Sequence, residues 1–222
     1  MLVRDDGSIV GSVGGGCVEA EVWQAAQTVM NSTRPTVIKY HLTDDDAGSE
    51  GLICGGTLEV FVEPITPDPE VFILGAGHLG KAIAELATPV GFQVTVIDDR
   101  DSFANPKRFP TAANLVVKPF SKALNSVKIS KESFLLIVTR GHSHDQIALE
   151  GCIQTPARYV GMVGSRRKIK ILVENLLDKG FPKKSFKNLY APIGIEIGSE
   201  TPEEIAVSVV AEIIAIRRGI HH

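Results

Sequence analysis

The sequence predicts an α/β protein in which a small α+β N-terminal module precedes a doubly wound parallel sheet. An apolar run at 71–74 leads directly into Gly-x-Gly-x-x-Gly at 75–80, the order expected for a buried parallel strand, a tight turn and a helix. Apolar strand-like runs and helical patterns then alternate along the rest of the chain, as they do in βαβ units. The proline-rich stretch 64–69 interrupts any strand there, so we predict domains at 1–66 and 70–222.

The composition excludes several classes of protein. The 222 residues are 44% hydrophobic and 22% charged, which suits a packed core rather than disorder. A net charge of −3 argues against a broad nucleic-acid-binding surface. No apolar run reaches the roughly 18 residues of a membrane span, and no charged-then-apolar leader opens the chain, so we expect a cytoplasmic protein that binds neither nucleic acid nor membrane. The three cysteines are too few and too scattered for a disulfide framework and are expected to be thiols.

The N-terminal module is predicted to begin with a hairpin and a helix. Asp6 and Gly7 separate two short apolar runs, which is a hairpin pattern. The helix is indicated by apolar residues that recur on one helical face, namely Val18, Val22, Ala26 and Val29. Strands are predicted at 35–42 and 57–63, and between them the adjacent aspartates 44–46 favour a solvated loop over a metal site.

Two of the cysteines lie beside glycines. Cys17 follows three glycines at the predicted start of the first helix, where the helix dipole lowers the pKa of a thiol. Cys54 precedes two glycines in the loop before the next strand. Both positions leave a thiol on bare backbone, which suits a sulfur or metal ligand, and the alternative for each is a buried structural cysteine.

The glycines of the central loop have separate expected roles. Gly75 permits the tight turn, Gly77 lets the backbone approach a pyrophosphate, and Gly80 lets the helix pack close to the strand. The helix N-terminus at His78 offers free N–H groups to an anion. Asp98 ends the next strand at about the offset of a carboxylate that accepts from a ribose 2′-OH. This pattern predicts a Rossmann-like nucleotide-binding domain; the alternative is a domain that keeps the loop for packing and binds nothing.

Two further polar turns are expected at the same edge of the sheet, because apolar strands at 134–138 and 159–163 are each followed by a turn and a helical pattern. Ligands of such sheets bind outside the carboxyl ends of the strands. The first turn contains Arg140, His142, His144 and Asp145, and the second contains Ser165, Arg166, Arg167 and Lys168. The His-x-His pattern favours anion contact or helix capping, with a divalent metal as the alternative. The cationic helix start favours a phosphate clamp over a solvated face.

The sequence contains no evident catalytic centre. We find no Ser-His-Asp order, no zinc-type pairing of cysteines, no Walker lysine and no general acid placed to serve a nicotinamide. The chain therefore has the means to hold a dinucleotide-like ligand without an obvious reacting group. This favours a binding role over that of an enzyme.

The last helix is predicted from a strong start signal and a wide apolar surface. Thr201, Pro202 and Glu204 match a capping box with proline in the first turn. Apolar residues lie on most sides of the segment 205–218, which indicates burial within the domain or at an interface. A homodimer is therefore one expectation for this chain.

Together these motifs resemble those of the XdhC/CoxF (CoxI) family, the accessory proteins of xanthine dehydrogenase and carbon monoxide dehydrogenase. The stretches 11–19, 51–57 and 59–61 are similar to the N-terminal module of that family. The C-terminal Rossmann module is matched at 75–80, 98–100, 139–142, 161–168 and 192–206, and the most specific motifs are Ser-Arg-Arg-Lys and Gly-Ser-Glu-Thr-Pro-Glu-Glu-Ile-Ala. Family members usually have a further strand and a Gly-Ser-x-Pro-Arg-type loop before the position of Met1, so we expect a module truncated at its start.

The resemblance implies a role in the maturation of a molybdenum hydroxylase. Such a protein would bind the molybdenum cofactor (molybdopterin), protect it during sulfuration and pass it to the hydroxylase apoenzyme, with a cysteine desulfurase as a second partner. Molybdenum with a sulfido ligand is soft, which suits Cys17 and Cys54 as contacts for the metal end. The candidates for binding the anionic pterin part are Gly75, Gly77, His78, Gly80, Asp98, Arg140, His142, Ser165, Arg166 and Arg167.

Two other functions are consistent with the residues. One is an NAD-dependent oxidoreductase, indicated by the glycine loop and Asp98. Asp98 would repel a 2′-phosphate and so favour NAD, although the nearby Arg100 keeps NADP as an alternative ligand. The other is a regulatory module whose nucleotide site senses a ligand and controls assembly.

Overall fold

The computed structural model describes residues 1–32, 34–42, 56–65 and 68–220. It contains two compact units, Met1–Pro67 and Asp68–His222. None of the helices in these described ranges is both long enough and apolar enough to cross a bilayer.

The first unit packs one helix against a two-stranded sheet. Its elements are β1 (Leu2–Val3), β2 (Ile9–Val10), α1 (Gly16–Ser32), β3 (Thr36–Leu42) and β4 (Gly56–Val62). β1 and β2 form the predicted hairpin, and β3 pairs with β4 antiparallel. The core of the unit consists of Val22, Ala26 and Val29 from α1 with Val62 from β4, so the helix buries the apolar face that its sequence predicted.

The second unit is a six-stranded parallel sheet with helices on both faces. The strands are β5 (Glu70–Leu74), β6 (Gln93–Asp98), β7 (Asn114–Val117), β8 (Phe134–Ile137), β9 (Tyr159–Met162) and β10 (Leu189–Tyr190). The helices are α2 (His78–Ala87), α3 (Phe120–Ala123), α4 (His142–Cys152), α5 (Arg166–Asp178) and α6 (Pro202–Arg217). The order across the sheet is β10-β9-β8-β5-β6-β7, and all neighbours are parallel. The predicted α/β class and the Rossmann-like, doubly wound sheet are confirmed.

The central strand β5 explains why its sequence is apolar without alternation. Val71 and Ile73 pack into the core beneath α2 and α6, whereas Phe72 and Leu74 pack into the core beneath α3, α4 and α5. Successive side chains of a strand point to opposite faces, and here both faces are covered by helices. All four residues are at most 1% exposed, as expected for a strand buried on both sides.

The topology places four loops at one edge of the sheet. From β5 the chain winds outward through β6 and β7, then returns to the other side of β5 to form β8, β9 and β10. The winding direction therefore reverses between β5 and β8, and such switch points are where ligands bind in open α/β sheets. Because the strands are parallel, the loops after β5, β6, β8 and β9 share the carboxyl edge.

The final helix is buried within its own unit. The capping box is present: the side chain of Thr201 accepts from the N–H of Glu204, while the Glu204 carboxylate accepts from the N–H of Thr201. Val209 and Ile213 are fully buried against the sheet and α2. Glu212 accepts from the Tyr159 hydroxyl and from the N–H of Gly194, so even its buried carboxylate is satisfied. This packing accounts for the wide apolar surface, and the expected homodimer stays a prediction.

Candidate functional site

The glycine loop after β5 is constrained at two of its three glycines. A Cβ on Gly80 would lie 2.0 Å from the carbonyl oxygen of Gly75, so only glycine lets α2 begin this close to the strand. Gly75 has a φ of +121°, and a Cβ there would lie 2.4 Å from the carbonyl oxygen of Val138. At Gly77, where φ is −71°, no described atom lies within 4 Å of such a Cβ. The loop thus leaves open space at Gly77 and at the exposed His78, as the approach of a ligand requires.

Asp98 holds this loop from the neighbouring strand. Its side chain is 2% exposed, and Oδ2 accepts from the N–H of Ala76 at 2.8 Å. Arg100 donates to both oxygens, from Nε to Oδ1 at 2.8 Å and from Nη2 to Oδ2 at 3.0 Å. Burial alone would raise the pKa of Asp98, but the hydrogen bonds from Arg100 and Ala76 outweigh it and lower the pKa to about 2. Asp98 therefore positions the glycine loop, and its expected contact with a ribose hydroxyl stays a prediction.

We expect Asp98→Asn to lower the free energy of unfolding by about 2 kcal/mol at pH 7, because it weakens hydrogen bonds to charged groups. The lowered pKa also sets a pH dependence. Ionised Asp98 stabilises the folded protein above about pH 4, and that contribution is lost as the pH falls towards 2. Urea unfolding at pH 7 and between pH 4 and 2.5 should show the wild type losing this increment and the variant lacking it. Asp101→Asn, at an exposed neighbour, is the control and should change neither quantity.

A second arginine reaches the glycine loop from the segment after β6. Nη2 of Arg108 donates to the carbonyl oxygen of Ala76 at 3.3 Å. The guanidinium of Arg100 lies 3.6 Å from the centre of the Phe103 ring, and that of Arg108 lies 5.1 Å from it. Cation–π contacts of this kind order the segment beside the loop. The sequence interpretation missed Arg108 and Phe103, because no spacing rule marks residues that meet the loop only after the chain has folded back.

Arg140 and Asp99 form an ion pair across the end of β5. Nη2 of Arg140 lies 2.8 Å from Oδ2 of Asp99, and Asp99 directly follows β6 while Arg140 follows β8. Nε2 of His144 lies 3.9 Å from the same oxygen, and its ring packs edge-on against Phe120. The predicted Arg140 therefore lies at the carboxyl edge together with His144 and the unpredicted Asp99. His142 begins α4, but its side chain lies outside the described part of the structure.

A buried ion pair joins the two polar turns. Asp145 is fully buried; its Oδ1 accepts from the Thr139 hydroxyl at 2.5 Å. Its Oδ2 forms an ion pair with Nζ of Lys168, a contact without the geometry of a hydrogen bond. The Lys168 side chain is 19% exposed and borders a cavity of about 190 Å³ between α4 and α5. One of the three cations of the predicted phosphate clamp is therefore already paired.

The rest of the predicted clamp remains accessible. The Ser165 hydroxyl caps α5 by accepting from the N–H of Lys168 at 3.3 Å. Arg166 and Arg167 are exposed in the first turn of that helix, and within the described residues neither has an ion pair or a side-chain hydrogen bond. No cluster of three or more His, Cys, Asp or Glu that could hold a metal occurs in the described ranges.

In the first unit, a carboxylate organises the glycine loop that precedes α1. Gly14, Gly15 and Gly16 all have positive φ values, a region that other residues rarely adopt. Oε1 of Glu19 accepts from the N–H of Gly15 at 3.2 Å and from the hydroxyl of Ser12, and the hydrogen bond from Ser12 is the main cause that lowers the pKa of Glu19. Cys17 is the second residue of α1, but its side chain lies outside the described structure, as does Cys54 entirely.

The third cysteine is accounted for by packing. Cys152 ends α4 and is fully buried among apolar residues. Burial raises the pKa of its thiol, which keeps the thiol protonated and unreactive. Of the three cysteines, this one is therefore assigned to the core.

Comparison with known families and proteins agrees with this architecture. A family model described as the XdhC Rossmann domain matches residues 71–213, which is more than half of the chain. The chain belongs to the XdhC family. A second model, of the XdhC and CoxI family, matches residues 1–41, so the resemblance seen in the sequence is confirmed in both modules.

Relatives in this family differ in length from the present chain. It is 36% identical over 220 residues to the uncharacterized protein YqeB of Escherichia coli, covering 99% of this chain and 40% of that protein. It is 34% identical over 164 residues to a Bacillus subtilis protein named as a probable xanthine dehydrogenase subunit. That match covers 74% of this chain and 48% of the relative. The chain thus spans less than half the length of either relative.

Two more distant similarities involve a named chaperone and a solved structure. The molybdenum cofactor insertion chaperone PaoD of Escherichia coli is 22% identical over 266 residues, covering 98% of this chain and 77% of that protein. The crystal structure of a xanthine dehydrogenase from Bacillus halodurans superimposes with a TM-score of 0.63 at 23% identity, covering 99% of this chain and 86% of that one. At this identity the superposition shows a shared fold.

Proposed function

We propose that this protein is an accessory chaperone that binds the molybdenum cofactor and assists its sulfuration and insertion into a molybdenum hydroxylase such as xanthine dehydrogenase. Membership of the XdhC family supports the proposal, as do relatives named as a molybdenum cofactor insertion chaperone and a probable xanthine dehydrogenase subunit. The cofactor is cargo in this role, so the protein needs groups that hold it and release it rather than groups that react.

The observation that best supports cargo binding is the set of free anion-binding groups at the carboxyl edge. Gly77 borders open space at the start of α2, and Arg166 and Arg167 are exposed at the start of α5. Helix N-termini and arginine side chains both favour phosphate oxygens. A pterin phosphate or pterin dinucleotide is anionic, and this edge offers it backbone N–H groups and two cations.

The proposal assigns the metal end of the cofactor to Cys17 and Cys54. Thiolates are soft ligands that match molybdenum bearing a sulfido group. The glycine loop held by Glu19 would keep the backbone around Cys17 free of side chains. The hydroxylase apoenzyme and a cysteine desulfurase are the proposed partners, since one receives the cofactor and the other supplies its sulfur.

The NAD-dependent alternative has weaker support. Its key residue, Asp98, is buried and already accepts from Ala76 and Arg100, so a ribose diol would have to compete with these bonds. The maturation role does not require Asp98 to bind a ribose.

Co-elution of molybdenum with the reduced protein tests the proposal. The protein is incubated with molybdenum cofactor and separated by gel filtration, and molybdenum is measured in the protein peak. We expect the wild type to retain the metal, and Arg166→Ala/Arg167→Ala to retain it about tenfold more weakly, because two charge-assisted contacts are lost. Cys54→Ser should also weaken retention.

The matched control is Lys183→Ala/Lys184→Ala, which removes two adjacent exposed cations from the short turn before β10. It should bind like the wild type. Equal retention by the arginine double variant would show that the assigned site is wrong, and absence of molybdenum from the wild-type peak would refute the chaperone function.

A further inference from the structure

The carboxylate of Asp99 lies among two arginines and a histidine that come from both sides of β5. Oδ2 is 2.8 Å from Nη2 of Arg140 and 3.9 Å from Nε2 of His144, while Oδ1 is 3.8 Å from Nε of Arg100. Such surroundings suit an anionic group of a ligand. In the free protein an internal carboxylate lies there instead.

The position of this ion pair matters because of the strand order. β6 and β8 are the two neighbours of β5, and adjacent strands are about 4.8 Å apart. The ion pair between Arg140, which follows β8, and Asp99, which follows β6, therefore spans the end of β5. Any ligand that extends along the carboxyl edge from β6 to β8 has to pass this contact.

The contact is also easily exchanged. The Arg140 side chain is 39% exposed and that of Asp99 is 27% exposed, and partly exposed ion pairs contribute little to stability. Oδ1 of Asp99 is buried and accepts no hydrogen bond from any described residue. By contrast, Asp98 is buried and accepts hydrogen bonds at both oxygens. Arg100, which donates two of these bonds, therefore stays paired with Asp98, whereas Arg140 can change partner.

We propose that Arg140 is an anion-selecting residue whose site is filled in the free protein by Asp99, and that a phosphate or pyrophosphate group of the ligand replaces Asp99 there. Phosphate has more acceptor oxygens than a carboxylate and pairs with the guanidinium in a bidentate manner. The proposal rests on the proposed function only in taking an anionic pterin nucleotide as the cargo. Asp99 then acts as an internal competitor that excludes weakly charged ligands from the edge.

Calorimetric titration with inorganic pyrophosphate, the group that dinucleotide ligands share, tests this exchange. Removing the competitor with Asp99→Asn should tighten pyrophosphate binding about fivefold, the effect of losing one partly exposed ion pair. Arg140→Gln should weaken binding by about tenfold or abolish it, because the pairing cation is gone.

Two controls separate exchange from a general change in charge. Glu132→Gln breaks the Arg158–Glu132 ion pair, 3.0 Å long, at the opposite edge of the same sheet. Asp101→Asn removes a nearby exposed charge that has no ion pair within the described residues. Both should bind pyrophosphate as the wild type does. An equal gain in Asp101→Asn and Asp99→Asn would overturn the proposal, as would no gain in Asp99→Asn.

A measurement on the wild type covers the case in which Asp99→Asn does not fold. In protein labelled with ¹⁵N-arginine, pyrophosphate should shift the side-chain signal of Arg140, identified by its loss in Arg140→Gln, and leave that of Arg158 in place. An unmoved Arg140 signal at saturating pyrophosphate would refute the exchange. Because these readouts need no molybdenum, their failure is distinct from failure of the cofactor to co-elute.

Discussion

Gly80→Ala is expected to destabilise the second unit by roughly 3 kcal/mol or more, since overpacking against fixed atoms is costly. The added methyl carbon would lie 2.0 Å from the carbonyl oxygen of Gly75 and 3.2 Å from a side-chain carbon of Ile73. The first is a backbone atom of the loop, which cannot rotate away. The start of α2 would have to move off β5, and with it the packing of α2 on α6. Urea denaturation followed by circular dichroism measures the loss.

Gly77→Ala is the matched control for this prediction. No described atom lies within 4 Å of its new methyl carbon, and φ of −71° suits alanine. Stability should change by less than about 1 kcal/mol, the scale of a weaker helix cap. Pyrophosphate binding should nevertheless fall, because the methyl group occupies the space left for the ligand. If both variants lose the same stability, steric contact with Gly75 is not the reason for the glycine at position 80.

Lys168→Met is expected to cost about 3 kcal/mol, because it leaves the buried charge of Asp145 without its cation. Asp145 is fully buried, and Lys168 is 19% exposed. The hydroxyl of Thr139 would remain as a donor to the carboxylate. Methionine retains much of the lysine side chain's volume, so the loss reports charge pairing rather than a cavity. Urea unfolding of the purified variants gives the value.

Two companion variants test this explanation. Lys170→Met removes a cation from the same helix whose partner Glu174 is 3.8 Å away and well exposed, and it should change stability by less than about 0.5 kcal/mol. Asp145→Asn combined with Lys168→Met leaves no unpaired charge and should recover at least half of the loss. A double variant as unstable as the sum of its single changes would contradict pairing between the two side chains.

Most of the helices and strands could be predicted from local patterns in the sequence. The apolar run before Gly75 predicted a buried strand, and Thr201 with Glu204 predicted the start of α6. Both depend on residues near each other in the chain. The elements that were missed, α3 (Phe120–Ala123) and β10 (Leu189–Tyr190), are too short for a periodic pattern. β10 exists because Leu189 and Tyr190 pair with β9.

The candidate site was predicted less completely than the fold. The sequence indicated the glycine loop, Arg140 and the turn at 165–168, since strand ends followed by polar turns mark the carboxyl edge of a parallel sheet. It did not indicate which charges neutralise each other there. Asp98, expected to meet a ligand, also accepts hydrogen bonds from Ala76 and Arg100, and Lys168, predicted as part of a phosphate clamp, forms an ion pair with Asp145.

The sequence by itself determined the class of fold, the family and the edge of the sheet where the site lies, because these follow from local hydrophobic patterns and contiguous motifs. Only the tertiary structure decided which polar groups remain available. Asp99 and Arg140 are 41 residues apart, and Asp145 meets Lys168 from a different turn. Pairing at such separations depends on the order of strands in the sheet, which brings distant turns together and leaves Arg166 and Arg167 exposed.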